Sequence, residues 1–265
     1  RGQAHAGRGA AVCGRRDGCD SEGRMSQRFL AIDLETTGRD PAKHRITEIG
    51  WCLQSYDEDA PLRLKSDLIL PADDEPPMDD EVIAVTGITD GLRQEFGVPL
   101  HEALRDFHDA ARKADYVVAH KASFERAMLG VHAVGDPLDP LSRYSWIDTL
   151  EDIPYPARIG ENRTLIYLCA VHGFLNPFSH RAVHDAMAAA KLLRCYPLDE
   201  VVRRSRAPRI RLMAWGLPYD RREEAKTLRF HWDPARKVWF KEIREYELEA
   251  LGKAFTFPIT IEEVK

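Results

Sequence analysis

Phe29-Leu30-Ala31-Ile32-Asp33-Leu34-Glu35-Thr36-Thr37-Gly38 reads as a strand that leaves an apolar interior carrying two carboxylates. The unbroken apolar run at residues 29–32 marks a strand covered on both faces. Side chains two apart on a strand share a face, so Asp33 and Glu35 converge. Two like charges at the end of a buried strand repel each other and lose hydration. A solvated strand end followed by a turn is one solution. The other is a hard divalent cation, Mg²⁺ or Mn²⁺, which takes carboxylate oxygens and keeps several waters.

Outward from this strand, residues 45–56 and 62–70 read as two further strands, the second alternating cleanly and stopped by Pro71, so that the three runs suggest an antiparallel meander. The period then changes. Residues 79–85 form a short helix closed by Gly87, and residues 99–113 place Leu100, Ala103, Leu104 and Phe107 at helical spacing behind Pro99. Tyr116-Val117-Val118-Ala119 is another buried strand. Helices are expected over 124–134, 164–172 and 182–195, with a short strand at 145–147. Strands paired as a meander and then alternating with helices make an α/β fold, a mixed sheet flanked by helices.

Two later segments add acidic and basic groups at matching places. His120-Lys121-Ala122-Ser123-Phe124-Glu125 runs from a strand end into a helix, where open α/β sheets place ligands. Glu125 stands in the first helical turn, where the macrodipole favours a carboxylate with or without a ligand. In His180-Arg181-Ala182-Val183-His184-Asp185, Asp185 opens a helix and His180 lies on the loop before it. A histidine with a pKa of about 6.5 is suited to taking a proton from a metal-bound water near neutrality. His184 points about 100° around the helix from Asp185 and is incidental. Four carboxylates can hold two divalent ions about 3.5–4 Å apart, the arrangement used in phosphoryl transfer.

The order DLETTG, HKASFE, HRAVHDA resembles the three motifs of the DnaQ-like DEDDh family of 3′–5′ exonucleases, which has a ribonuclease H-like fold. The resemblance runs from Phe29 to Cys195 and includes Val85-Thr86-Gly87-Ile88-Thr89 and Ile147-Asp148-Thr149-Leu150. It implies Asp33, Glu35, Glu125 and Asp185 as ligands of two Mg²⁺ or Mn²⁺ ions and His180 as general base. It further implies that Leu34, Thr36 and Phe124 touch the terminal nucleotide. The implied activity is release of nucleoside monophosphates from single-stranded or frayed DNA 3′ ends. Action on RNA is an alternative of the same class. The sequence departs from the family's HNAxFD at Lys121 and Glu125, and Thr86 stands where a histidine is common. Glutamate keeps the charge but lengthens the arm by one methylene, which leaves open a catalytically silent nucleic-acid-binding protein. No polymerase-binding segment is identifiable.

Composition sets the remaining bounds. The 265 residues are 44% hydrophobic and 31% charged, with a net charge of -5, which disfavours a broad electrostatic clamp for nucleic acid. No apolar run approaches the roughly 18 residues of a membrane span. Cys13, Cys19, Cys52, Cys169 and Cys195 lack metal-site spacing, so a reducing, cytoplasmic setting is the expectation. Residues 1–25, rich in Gly, Ala and Arg, are expected to be a disordered leader, 26–200 the exonuclease domain, 201–211 a basic linker, and 212–265 a small α+β accessory domain. Residues 203–265 carry 15 Lys/Arg against 10 Asp/Glu together with Trp215, Trp232 and Trp239. Basic charge beside aromatic rings suits single-strand binding, though a small domain also needs its tryptophans as core. The tail resembles KxxGxxWDxxxKxWY modules attached to DNA-metabolism proteins, with Phe230 near the usual Gly.

Overall fold

The computed structural model describes residues 26–132 and 141–264, so the leader expected at 1–25 lies outside the described residues, as does the end of the helix expected over 124–134. The chain forms two compact units that divide after Ser205.

The first unit is built on a five-stranded mixed sheet of order β3-β2-β1-β4-β5. Strand β1 (Arg28–Thr36) pairs antiparallel with β2 (Ile46–Ser55), which pairs antiparallel with β3 (Arg63–Leu68). On its other edge β1 pairs parallel with β4 (Tyr116–Ala119), and β4 pairs parallel with β5 (Trp146–Asp148). Helices α1 (Asp80–Thr86), α2 (Asp90–Phe96), α3 (Leu100–Ala111), α4 (Ala122–His132), α5 (Leu165–Val171), α6 (Ala182–Arg194) and α7 (Leu198–Ser205) complete the unit.

The apolar run of β1 divides between two cores, because successive side chains leave opposite faces of the sheet. Leu30, Ile32 and Leu34 join Phe107 of α3 and Met128 and Leu129 of α4. Phe29 and Ala31 join Leu168 of α5, Ala186, Ala190 and Leu193 of α6 and Val201 of α7. By the same alternation Asp33 and Glu35 continue the α6 face. The alanines of α6 let it lie close to the sheet. At Gly50 of β2 the approach is closest, since a Cβ there would collide with the backbone of Ala182 and Val183.

Two helices were not expected. Helix α2 is short, polar and contains Gly91, so it has no apolar period; Thr89 caps it, accepting from the Leu92 N–H at 3.2 Å. Its Arg93 is fully buried and bonds Glu75 at 2.6 and 3.1 Å, Asp90 at 3.2 Å and the Ile69 carbonyl at 2.9 Å. Helix α7 and the following strand β6 (Arg209–Ala214) occupy most of residues 201–211, the segment expected to be a linker, and the two units divide within it after Ser205. Arg203 is exposed and Arg204 donates to the Asp152 carbonyl at 3.0 Å, while Val201 and Val202 pack inward; the run of charge masked the helix.

The second unit is an antiparallel sheet of order β7-β8-β6-β9, with β7 (His231–Asp233), β8 (Val238–Arg244), β9 (Thr260–Glu263) and helices α8 (Arg222–Thr227) and α9 (Leu248–Gly252). The last strand begins only at Thr260, because Phe255 and Phe257 turn inward onto Phe230 with ring centroids 6.0 and 5.5 Å away. Phe230 is therefore a core residue of this small domain. Trp239 packs on the same core, whereas Trp232 and Trp215 are nearly half exposed. The basic excess is largely answered within the unit: Arg236 pairs with Glu262, Arg211 with Glu242 and Arg221 with Glu224.

The contact at Gly50 yields a direct test. Gly50→Ala should push α6 off β2 and destabilise the protein by about 1–3 kcal/mol, the range for overpacking. A thermal melt of the variant checks this, and an unchanged midpoint would contradict the packing.

Candidate active site

The α6 face of β1 presents Asp33 and Glu35, and the first turn of α6 presents Asp185 toward them. Glu35, His180 and Asp185 each offer a ligand atom within 4.8 Å of the others. Their placement depends on Glu48, which lies opposite Glu35 in the β1–β2 register. The buried Glu48 carboxylate accepts from Arg181 Nε at 3.1 Å and Nη2 at 2.9 Å, from the Ala182 N–H at 2.9 Å and from Ser66 Oγ at 2.6 Å. Arg181, the residue before α6, gives no side-chain cap of its own, so Glu48 caps the helix from the neighbouring strand. Burial acts to raise the Glu48 carboxyl, but these bonds outweigh it and hold the pKa below the ordinary value. The sequence reading missed Glu48; a lone glutamate inside an apolar strand was the available signal.

The loop before α6 is fixed by Asp185. Its carboxylate accepts from the His180 N–H at 3.0 Å and from the Asn176 side-chain amide. His180 has φ 64° and is exposed. A positive φ costs a non-glycine residue about 1–3 kcal/mol and persists where the surroundings enforce it.

The second motif is built at the joint between β4 and α4. His120 is held through Nδ1 to Thr149 Oγ1 at 2.9 Å and through Nε2 to the Arg163 carbonyl at 2.8 Å. Burial keeps its imidazole below the ordinary pKa. Lys121 has φ 86° and donates its N–H to Asp148 Oδ1 at 3.0 Å. One turn on, Glu125 is 3% exposed and, among the described residues, its Oε2 has no hydrogen-bond partner. Of the residues expected to touch a nucleotide, Leu34 is buried on the opposite face of β1 from the carboxylates, and Phe124 is half-buried beside the same core. Thr36 Oγ1 donates to the Gly38 carbonyl at 2.7 Å.

The electrostatics are those of crowded acids. Burial, then Asp185, Glu125, Glu35 and Glu48, pushes Asp33 well above the ordinary carboxylate range. Burial, then Asp185 and Glu48, raises Glu35 to about 8, with Arg181 opposing. Burial raises Glu125, with Asp148 adding to it and Lys121 opposing. Burial also raises Asp185, against the His180 N–H and Asn176. Such a set of oxygen donors, including an unpartnered buried Glu125 oxygen, fits a hard divalent cation. His180 reaches the Glu35–Asp185 pair, Asp33 adjoins that pair through its charge, and Glu125 adjoins Asp33.

The sequence pattern of the RNase T group, described as Exonuclease, matches residues 30–193. The chain belongs to this family, the DnaQ-like DEDDh 3′–5′ exonucleases, phosphodiester hydrolases with a ribonuclease H-like fold. It is similar to Ribonuclease T of Marinobacter nauticus, 27% identical over 190 residues that cover 63% of this chain and 83% of that protein. It is also similar to the PolC-type DNA polymerase III of Halalkalibacterium halodurans, 30% identical over 181 residues, 64% of this chain and 11% of the polymerase. The chain thus aligns with only about a tenth of that polymerase's length. Among solved structures, E. coli Exonuclease I in complex with a dA16 oligonucleotide matches with TM-score 0.55 and 16% identity, covering 72% of this chain and 48% of that one. The nuclease domain of 3′hExo, a DEDDh family member bound to rAMP, matches with TM-score 0.51 and 17% identity, covering 64% and 91%. These two likenesses are of fold.

The raised carboxyls predict a pH dependence. Between the ordinary value of 4.5 and about 8, folded Glu35 keeps a proton that the unfolded chain releases. Stability of the protein in EDTA therefore falls as pH rises through that window. Melting midpoints from pH 5 to 8 should decline, and Glu35→Gln should flatten the decline. An equal slope in the variant would contradict the crowding.

Proposed function

We propose that this exonuclease removes nucleoside monophosphates from the 3′ end of single-stranded or frayed DNA, using Asp33, Glu35, Glu125, Asp185 and His180. The observation that carries the reading is the convergence of these acids, with an exposed histidine, where β1 meets the first turn of α6. Asp33, Glu35, Glu125 and Asp185 would hold two Mg²⁺ or Mn²⁺ ions. Bound there, they supply acidification of the attacking water and charge beside the departing 3′ oxygen.

The chain's own groups do the rest. Asp185 fixes the His180 backbone through the 3.0 Å bond. The exposed His180 ring, within 4.8 Å of Glu35 and Asp185 oxygens, takes the proton from the attacking water. Glu48 and Arg181 keep the first turn of α6, and with it Asp185, against β2. Glu125 serves as the fourth acid despite its extra methylene. Its burial next to Asp33 and its unpartnered oxygen support that role.

The test is a 5′-labelled single-stranded DNA and its RNA counterpart, incubated with the protein and Mg²⁺, Mn²⁺ or EDTA. The expected result is a ladder shortening from the 3′ end of DNA and abolished by EDTA. A ladder from RNA alone would reassign the substrate, and no ladder from either would overturn the reading. Asp33→Ala and Asp185→Ala should lose essentially all turnover. His180→Ala should lose about 10²–10⁴-fold while Mn²⁺ binding persists. Retained turnover in either aspartate variant would refute the assignment.

A further inference from the structure

Lys121 occupies the position where the family's second motif carries Asn, and its backbone is in the left-handed region at φ 86°. That region disfavours a lysine and is readily entered by Gly or Asn. The structure holds it there from both sides. The preceding His120 is tied to Thr149 and to the Arg163 carbonyl, and the Lys121 N–H is tied to Asp148. The Lys121 carbonyl then accepts from the Phe124 N–H at 2.8 Å as α4 begins. A side chain at this joint has no freedom to swing away with its backbone.

The Lys121 side chain is exposed and, among the described residues, makes no hydrogen bond or ion pair. It lies close enough to Glu125 for its charge to act on that carboxyl. Arg181, a further cation at the site, is already engaged by Glu48. A phosphodiester brought to this place meets a ring of carboxylates, and an unpaired ammonium at its rim adds an attraction of its own.

We infer that Lys121 is a substrate-binding residue whose ammonium contacts a backbone phosphate of the nucleic acid beside Glu125. The inference rests on the nuclease reading above and adds to it a contact that the motif's Asn could not make by charge. Lysine acts on phosphate as a point charge, so the contact adds affinity without base preference.

The experiment measures binding of a fluorescent oligothymidylate by the whole protein in EDTA, over a range of salt concentrations. Wild type, Lys121→Asn and Lys121→Arg are compared, and turnover with Mg²⁺ is followed in parallel. Loss of one phosphate contact on a single strand reduces the slope of log affinity against log salt by about 0.7. Lys121→Asn should show that reduction and a raised KM with kcat little changed. It should fold at least as well as wild type, because Asn suits the left-handed backbone. Lys121→Arg should restore the wild-type slope. Equal slopes for wild type and Lys121→Asn, in a protein that degrades DNA, would overturn the inference and leave the nuclease reading standing. A wild type that neither binds nor degrades the oligonucleotide would overturn both.

Discussion

The first turn of α6 is pinned to β2 by one buried carboxylate. Glu48 accepts from the Ala182 N–H and from both arms of the Arg181 guanidinium, and Gly50 leaves room for the helix backbone to lie on the strand. From this anchor the rest of the site follows. Asp185, one turn into the helix, is set against Glu35, and the bond from Asp185 to the His180 N–H fixes the loop before it. Without the anchor the acids on β1 and the acid on α6 would separate, since nothing in their own charges draws them together. Removing the partly exposed Arg181 would leave the buried Glu48 carboxylate short of donors, which is costly.

The same logic explains why the carboxyls of Asp33, Glu35, Glu125 and Asp185 are all displaced upward. They are crowded and dehydrated by a fold whose favourable energy comes from elsewhere: the two apolar cores on either face of β1. Stability is traded locally for a set of oxygen donors ready for a divalent cation. Proteins commonly accept this kind of loss at a functional site.

Much of this was legible in the sequence, for identifiable reasons. The unbroken run of residues 29–32 announced a strand covered on both faces, and the spacing of Asp33 and Glu35 announced a shared face. The resemblance to DEDDh exonucleases carried the order of the three motifs, and the family match over residues 30–193 bears it out. What escaped was tertiary. Glu48 stands out in the sequence only as a lone glutamate in an apolar strand, and its role appears once α6 is laid across β2. Arg93 makes α2 possible through Glu75, eighteen positions away, so no local period betrays the helix. The basic stretch at 201–211 read as a linker because charge outnumbered apolar residues, although Val201 and Val202 suffice to seat a helix. In the second unit, the excess of arginine suggested an open basic face, and only the folded pairing with Glu242, Glu262 and Glu224 shows how much of it is answered.

The central claim is that the fold holds these acids together against their own repulsion for the sake of a divalent cation. The most direct measurement compares the melting midpoint of wild type and Asp33→Asn at pH 8, first in EDTA and then with Mn²⁺. In EDTA the variant should melt higher than wild type, because the cost of burying that carboxyl among its acidic neighbours is gone. With Mn²⁺ the order should reverse, because only wild type keeps the full donor set. A variant that melts lower than wild type in EDTA, or that gains as much from Mn²⁺, would contradict the account.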